Sequence, residues 1–127
     1  MEERKIREFI YKELSKFNFK KYTKGFKYLK EAIYICTTDL NAIENLSKNV
    51  FPKITQKYNE KSSLHVKWCI NQVVNTMYNN TEIDLICKYF NIDINLKPSL
   101  KFIIYTIVCK YLNKEKDTEF VEFRRTK

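Results

Sequence analysis

One glycine and two prolines in 127 residues leave too few turn-forming positions for a hairpin-rich all-β protein, which needs positive-φ or fixed-φ residues at regular intervals. An all-helical domain makes no such demand. Histidine and tryptophan each occur once, as His65 and Trp68. The four cysteines, Cys36, Cys69, Cys87 and Cys109, stand far apart with no CxxC pair, so a zinc site of the usual ligand spacing is not expected. They read as small core hydrophobes in a reducing compartment. Clustered carboxylates, a Cys-His pair and a Gly-rich phosphate loop are all missing, which leaves an enzyme with little support. The longest apolar run, "FIIYTIVC" at 102–109, is too short to span a bilayer, and the opening "MEERKIREF" is too charged for a signal peptide. The expectation is a soluble, cytoplasmic chain without membrane contact. The sequons at Asn45 and Asn79 then have no meaning.

The length is that of a single domain, enough to bury roughly two-thirds of the surface exposed by the unfolded chain. Its net charge of +9 favours an anionic partner, since clustered cations displace counterions from a phosphate backbone. Lys outnumbers Arg 20 to 4, and with abundant Asn, Ile and Tyr this is also the bias of an AT-rich genome. Distribution is more telling than total charge. Residues 1–30 hold ten basic and four acidic side chains, and 61–80 hold two lysines and no acid, so the two stretches are candidates for one electropositive surface.

Apolar residues recur with the helical period along the chain. Ile6, Phe9, Ile10, Leu14 and Phe17 mark a first helix that stops near "KFNFKKYTKG". Gly25 opens a second, with Leu29, Ala32, Ile33 and Cys36 on its apolar stripe. Thr38 or Asp39 is the expected cap of a third, carrying Ile43, Leu46 and Val50. Pro52 suits the first turn of "PKITQKY", a helix expected to end at Asn59.

Two helices joined there by a tight turn have the outline of a helix-turn-helix, with Ile54, Tyr58, Val66, Ile70 and Val73 as the shared core. Asn59 tolerates the left-handed conformation such turns need, and Ser62 or Ser63 is the expected cap of the second helix. At about 100° per residue, Val66, Cys69, Ile70, Val73 and Met77 point inward. Leu64, His65, Trp68, Asn71, Gln72 and Asn75 point outward, with Lys67 on the flank. Asn and Gln amides pair with adenine in the major groove, and His65 and Lys67 can reach guanine or phosphate. A tryptophan is more often buried than exposed, and Asn and Gln are ordinary surface residues, so a generic helix pair shares much of this pattern. The candidate DNA-contacting set is Lys61, Ser63, His65, Lys67, Trp68, Asn71, Gln72 and Asn75.

The stretches "KGFKYLKEAI" at 24–33, "FPKITQKYN" at 51–59, "IDLICKYF" at 83–90 and "KPSLKFI" at 97–103 occur in an order and spacing that resembles the C-terminal effector domain of the sporulation-initiation response regulator of endospore-forming bacteria. The likeness covers about residues 6–112. It implies an all-α, roughly six-helix domain that binds double-stranded DNA through a helix-turn-helix, often with neighbouring copies on adjacent sites, and it implies neither catalysis nor a cofactor. In that family a receiver domain with a phosphorylated aspartate controls binding. Here the first effector helix follows Met1 almost at once, so the expectation is a separately encoded effector or a piece of something longer.

The departures fall on the reading helix. The family pattern resembles Arg-Val-Glu-Arg-Ala-Ile-Arg-His; aligned on Val66 and Ile70, this chain has His65, Lys67, Trp68, Asn71 and Gln72 at the outward positions. The bidentate arginine fork to guanine, worth roughly 1–3 kcal/mol of discrimination, is lost at Trp68 and Asn71. A diverged target is expected. Three readings stay open. One is a sequence-specific DNA-binding transcription regulator. Another is an interaction module or antagonist that meets a related regulator through Trp68, Leu64 or the C-terminal tail. The third is a non-specific nucleic-acid binder driven by lysines. The domain is expected over 1–112, with 113–127 as a tail in which "EFVEF" alternates like a strand in need of a partner.

Overall fold

The structure, a computed structural model, describes residues 2–93 and 95–115. Among these residues the regular structure is entirely helical: α1 (Glu2–Leu14), α2 (Lys24–Thr38), a 3-10 segment (Leu40–Asn45), α3 (Leu46–Asn49), α4 (Phe51–Lys57), α5 (Ser63–Asn80), α6 (Ile83–Phe90) and α7 (Leu100–Glu115). Setting aside the 3-10 segment and the single turn of α3, six helices remain, in line with the roughly six that the family resemblance implies. No helix among them is long and apolar enough to cross a membrane. The strand-like "EFVEF" lies outside the described residues.

The caps explain most of the boundaries. Glu2 and Glu3 in the first turn of α1 and Lys12 in its last complement the helix dipole. The helix ends at Leu14, one turn earlier than its apolar row. Phe17 is nevertheless buried, reaching the core from the following turn to stack on Phe90 with ring centroids 5.7 Å apart. Thr23 starts α2 by accepting the Phe26 N–H at 3.3 Å. The helix expected across Ile43 to Val50 is instead divided in two. Thr38 bonds back to the Ile35 carbonyl and Asp39 makes no capping bond, whereas the Asn45 side chain accepts the Lys48 N–H at 3.1 Å and starts α3 afresh. A short polar side chain that competes for the backbone is enough to interrupt so brief a helix.

α2 is the hub and packs against α1, α5 and α7. Its Phe26, Leu29, Ala32, Ile33 and Cys36 join Ile6 and Ile10 of α1, Val66 and Ile70 of α5, and Ile103, Ile104 and Ile107 of α7 in one core. Of the cysteines, Cys36 and Cys69 are buried, and Cys87 and Cys109 are only partly covered.

One carboxylate sits inside this packing. Glu31 of α2 accepts hydrogen bonds from Arg7 at 3.0 Å, from Lys57 at 3.1 Å and from Tyr58 at 3.5 Å, tying α1 and α4 to the hub. Burial works against its charge, but the bonds from Arg7 and Lys57 prevail and hold the carboxyl below its ordinary value. A carboxyl depressed in the fold contributes stability that is fully present above its unfolded pKa and is lost as pH falls through the folded value. Glu31→Gln should therefore lower stability at neutral pH and flatten the acid limb of a stability–pH curve below about pH 4.5. Arg7 and Lys57 stay partly exposed and can rehydrate. The loss should then be about 1–2 kcal/mol, below the roughly 3–5 kcal/mol of a fully buried pair. Urea unfolding at neutral and acid pH measures it, and an unchanged acid limb would contradict the assignment.

Candidate nucleic-acid interface

The helix pair α4–α5 has the local chemistry a tight turn requires. Pro52 occupies the first turn of α4, where its missing N–H costs nothing. Beyond Lys57 the chain reverses through Asn59, whose φ of 55° is left-handed, and the Glu60 N–H returns to the Thr55 carbonyl at 2.9 Å. Ser62 then caps α5 by accepting the His65 N–H at 3.1 Å. Ser63 is held differently, through its hydroxyl and that of Thr55 at 3.2 Å.

The faces of α5 separate as the helical period predicts. Val66, Cys69, Ile70, Val73 and Met77 are buried, joined by Val74, which the sequence pattern had not assigned. Outside, Leu64 is 76% and Trp68 58% exposed, and Lys67, Gln72 and Asn75 are exposed with them. Lys61 is exposed in the turn before the helix. Ser63 and Asn71 are half-covered at the margins of the outer face.

His65 is likewise partly exposed. Its ring lies on the flank, with Nε2 3.6 Å from the Cys69 sulfur and 3.7 Å from Glu60, and stacks on Trp68 with centroids 6.0 Å apart and planes inclined by 15°. A side chain held in this way supports its neighbours more than it reaches outward. The reason is its helical phase, close to that of Cys69 one turn on.

Glu60 anchors the turn. Its carboxylate accepts the Tyr28 hydroxyl and the Lys24 ammonium, the latter at 3.3 Å, and only 7% of its side chain is exposed. The Tyr28 hydrogen bond is the main cause that keeps this carboxyl below its ordinary value, so the link is ionised at neutral pH. It fastens the turn to the N-terminal half of α2.

The segment before α2 lies along the same face. A recess of about 220 Å³ is lined by Lys20, Thr23, Lys24 and Gly25 on one side and by Trp68, Gln72 and Thr76 of α5 on the other. The basic link and the acid-free helix thus meet, as their charge pattern suggests. Lys20, Thr23, Lys24 and Thr76 belong to this surface although motif reading of the helix alone passes them by. The run "KFNFKKYTKG" is the signal for Lys20, Thr23 and Lys24. Toward the C-terminal end of α5, Tyr78 donates to the Pro98 carbonyl with Lys97 over its ring at 5.6 Å, which borders the other side of the helix.

No group of three or more His, Cys, Asp or Glu side chains fit to hold a metal occurs among the described residues. What the surface offers is a protruding polar and aromatic helix face flanked by cations. The family described as Sporulation initiation factor Spo0A C terminal matches residues 10–111, from within α1 to within α7 and with the helix pair near its centre. The chain belongs to that family, one of DNA-binding effector domains of transcription regulators and not of enzymes.

Proposed function

We propose that this chain is a sequence-specific double-stranded DNA binder, a cytoplasmic transcription regulator that lays the outer face of α5 in the major groove. The observation that carries this is the uncovered face of α5, with Trp68 and Gln72 exposed opposite a fully buried inner row and with no acid from 61 to 80. Asn71 and Gln72 read base edges, Lys67 and Lys61 meet phosphates, and Trp68 packs on a thymine methyl or the sugar-phosphate wall. Ser63 and Asn75 mark the two ends of the contact, and His65 steadies Trp68. Copies on adjacent sites would appear as stepwise complexes when the bound duplex is lengthened.

Selection of bound fragments from random duplex DNA, followed by anisotropy titration at two salt concentrations, tests the proposal. A recovered consensus and a steep fall of affinity with salt are expected, each neutralised phosphate contributing about 0.9 to the logarithmic slope. Asn71→Ala or Gln72→Ala should cost about 1–2 kcal/mol on the recovered site and much less on random duplex. Lys67→Ala should weaken all sequences alike and lower the slope by about one unit. Binding that is weak at physiological salt and blind to sequence would remove the DNA-reading role.

A second reading rests on one specific feature. Leu64 and Trp68 are an exposed apolar pair one helical turn apart, a pattern that fits a groove on a protein partner such as a related regulator. Loss of that partner without loss of DNA binding on Trp68→Ala would favour it.

A further inference from the structure

We infer that the segment from Asn18 to Lys24 is a second DNA-contacting element, a fixed ridge beside α5 that grips the phosphate backbone along one wall of the groove. This rests on the DNA-binding role proposed for α5 and adds a contact outside the helix-turn-helix.

The ridge is pinned at both ends to the helix it accompanies. At one end the Asn18 N–H donates to the Thr81 hydroxyl at 2.9 Å and the Asn18 side-chain amide donates to the Asn80 carbonyl. At the other, Gly25 lies directly on the backbone of Cys69. Between these points the turn is closed internally, since the Lys20 carbonyl accepts both the Thr23 hydroxyl at 2.8 Å and the Thr23 N–H at 3.3 Å. A segment tied to α5 near residues 69 and 80 runs beside Trp68, Gln72 and Thr76. It enters a complex already ordered, with little conformational entropy left to lose.

Its cations are not equivalent. Lys20 and Lys24 line the recess opposite Gln72 and Thr76. Lys24 is balanced by Glu60, whereas no ion pair holds Lys20 among the described residues, so the recess keeps an unmatched positive charge. At about 220 Å³ the recess is large enough to admit a phosphate group. Lys21 turns the other way, its ammonium 5.0 Å from the Tyr11 ring centre on α1. Adjacent lysines in one turn therefore face different partners, which provides an internal control.

The probe is a fluorescently labelled duplex carrying the best sequence recovered by selection. Lys20→Ala should lower the logarithmic salt slope by about 0.9 and weaken binding roughly fivefold at 0.15 M salt, as expected for one lost phosphate contact. Lys21→Ala should leave the slope unchanged. A duplex with a single neutral methylphosphonate at the contacted position should weaken the unaltered protein and not Lys20→Ala. Both lysines are exposed, and circular dichroism confirms that the variants keep the fold. The inference is overturned if Lys20→Ala retains the full slope, or if Lys21→Ala lowers it equally. An unaltered protein that binds no duplex removes the role of α5 as well, whereas a slope lowered by Lys67→Ala and untouched by Lys20→Ala removes the ridge alone.

Discussion

Gly25→Ala should destabilise the domain by about 3 kcal/mol or more, lowering the melting temperature by roughly 10 °C. At an exposed helical position the same change would stabilise by about 1 kcal/mol, because alanine is the better helix former. Here space decides the sign. A β-carbon on residue 25 would lie 2.9 Å from the Cys69 carbonyl carbon and 3.0 Å from the Val73 β-carbon, and still closer to the Cys69 carbonyl oxygen. The obstacle is the backbone of α5 and not the end of a flexible side chain, so α2 and α5 must separate. That separation opens the contact between the two helices that contribute most to the core around Val66, Ile70 and Phe26. It also moves Lys24 away from Glu60 and loosens the turn before α5. Thermal and urea unfolding measure the loss, and a variant as stable as the unaltered protein would mean that the helices do not pack this closely in solution.

The only glycine in the chain is thus spent on a helix crossing. Sequence reading places Gly25 at the start of α2, but nothing local reveals that the reason is a neighbour more than forty residues away. This marks the general boundary of what was legible. The helical class, the inner row of α5 and the left-handed Asn59 follow from periodicity and local backbone preference, and the structure bears them out. Missed features depend on distant partners or on competition between near-equal local choices. Phe17 is buried outside the helix whose stripe it extends, because Phe90 and Tyr89 receive it. Asn45 starts α3 in preference to Asp39, a contest among short polar side chains that sequence spacing does not resolve.

The candidate interface was legible to a similar degree. A wheel drawn at about 100° per residue sets Trp68, Gln72 and Asn75 outward and finds them exposed. It also sets His65 outward, where the side chain is 33% exposed and its ring is engaged by Glu60, Cys69 and the indole of Trp68. Charge counting anticipated that 1–30 and 61–80 share a surface. Only the fold shows that Lys20 and Lys24 do the sharing while Lys21 faces α1.

Trp68→Ala should leave stability nearly unchanged and weaken binding to the selected duplex by about 2–3 kcal/mol, roughly thirty- to a hundredfold or slightly more. The first half follows from position. Most of the indole is exposed, its turn neighbours Val66, Ile70 and Val73 point the opposite way, and its ring contact is with half-buried His65. Removing it creates no core cavity, so the change resembles other surface substitutions at well under 1 kcal/mol. The second half follows from chemistry. An aromatic side chain that is desolvated on binding concentrates interaction energy as aliphatic residues rarely do, and this one stands between Leu64 and Gln72 at the centre of the outer face. Trp68→Phe, which retains an aromatic surface, should recover much of the affinity. Three measurements on Trp68→Ala separate the readings: urea unfolding, anisotropy on the selected duplex, and anisotropy on random duplex. Stable protein with a loss confined to the selected duplex supports a reading helix with tryptophan at its centre. Equal losses on both duplexes would make Trp68 a general packing contact and leave sequence recognition to Asn71 and Gln72. Unaltered DNA binding with loss of a protein partner would instead assign the Leu64–Trp68 pair to the interaction module.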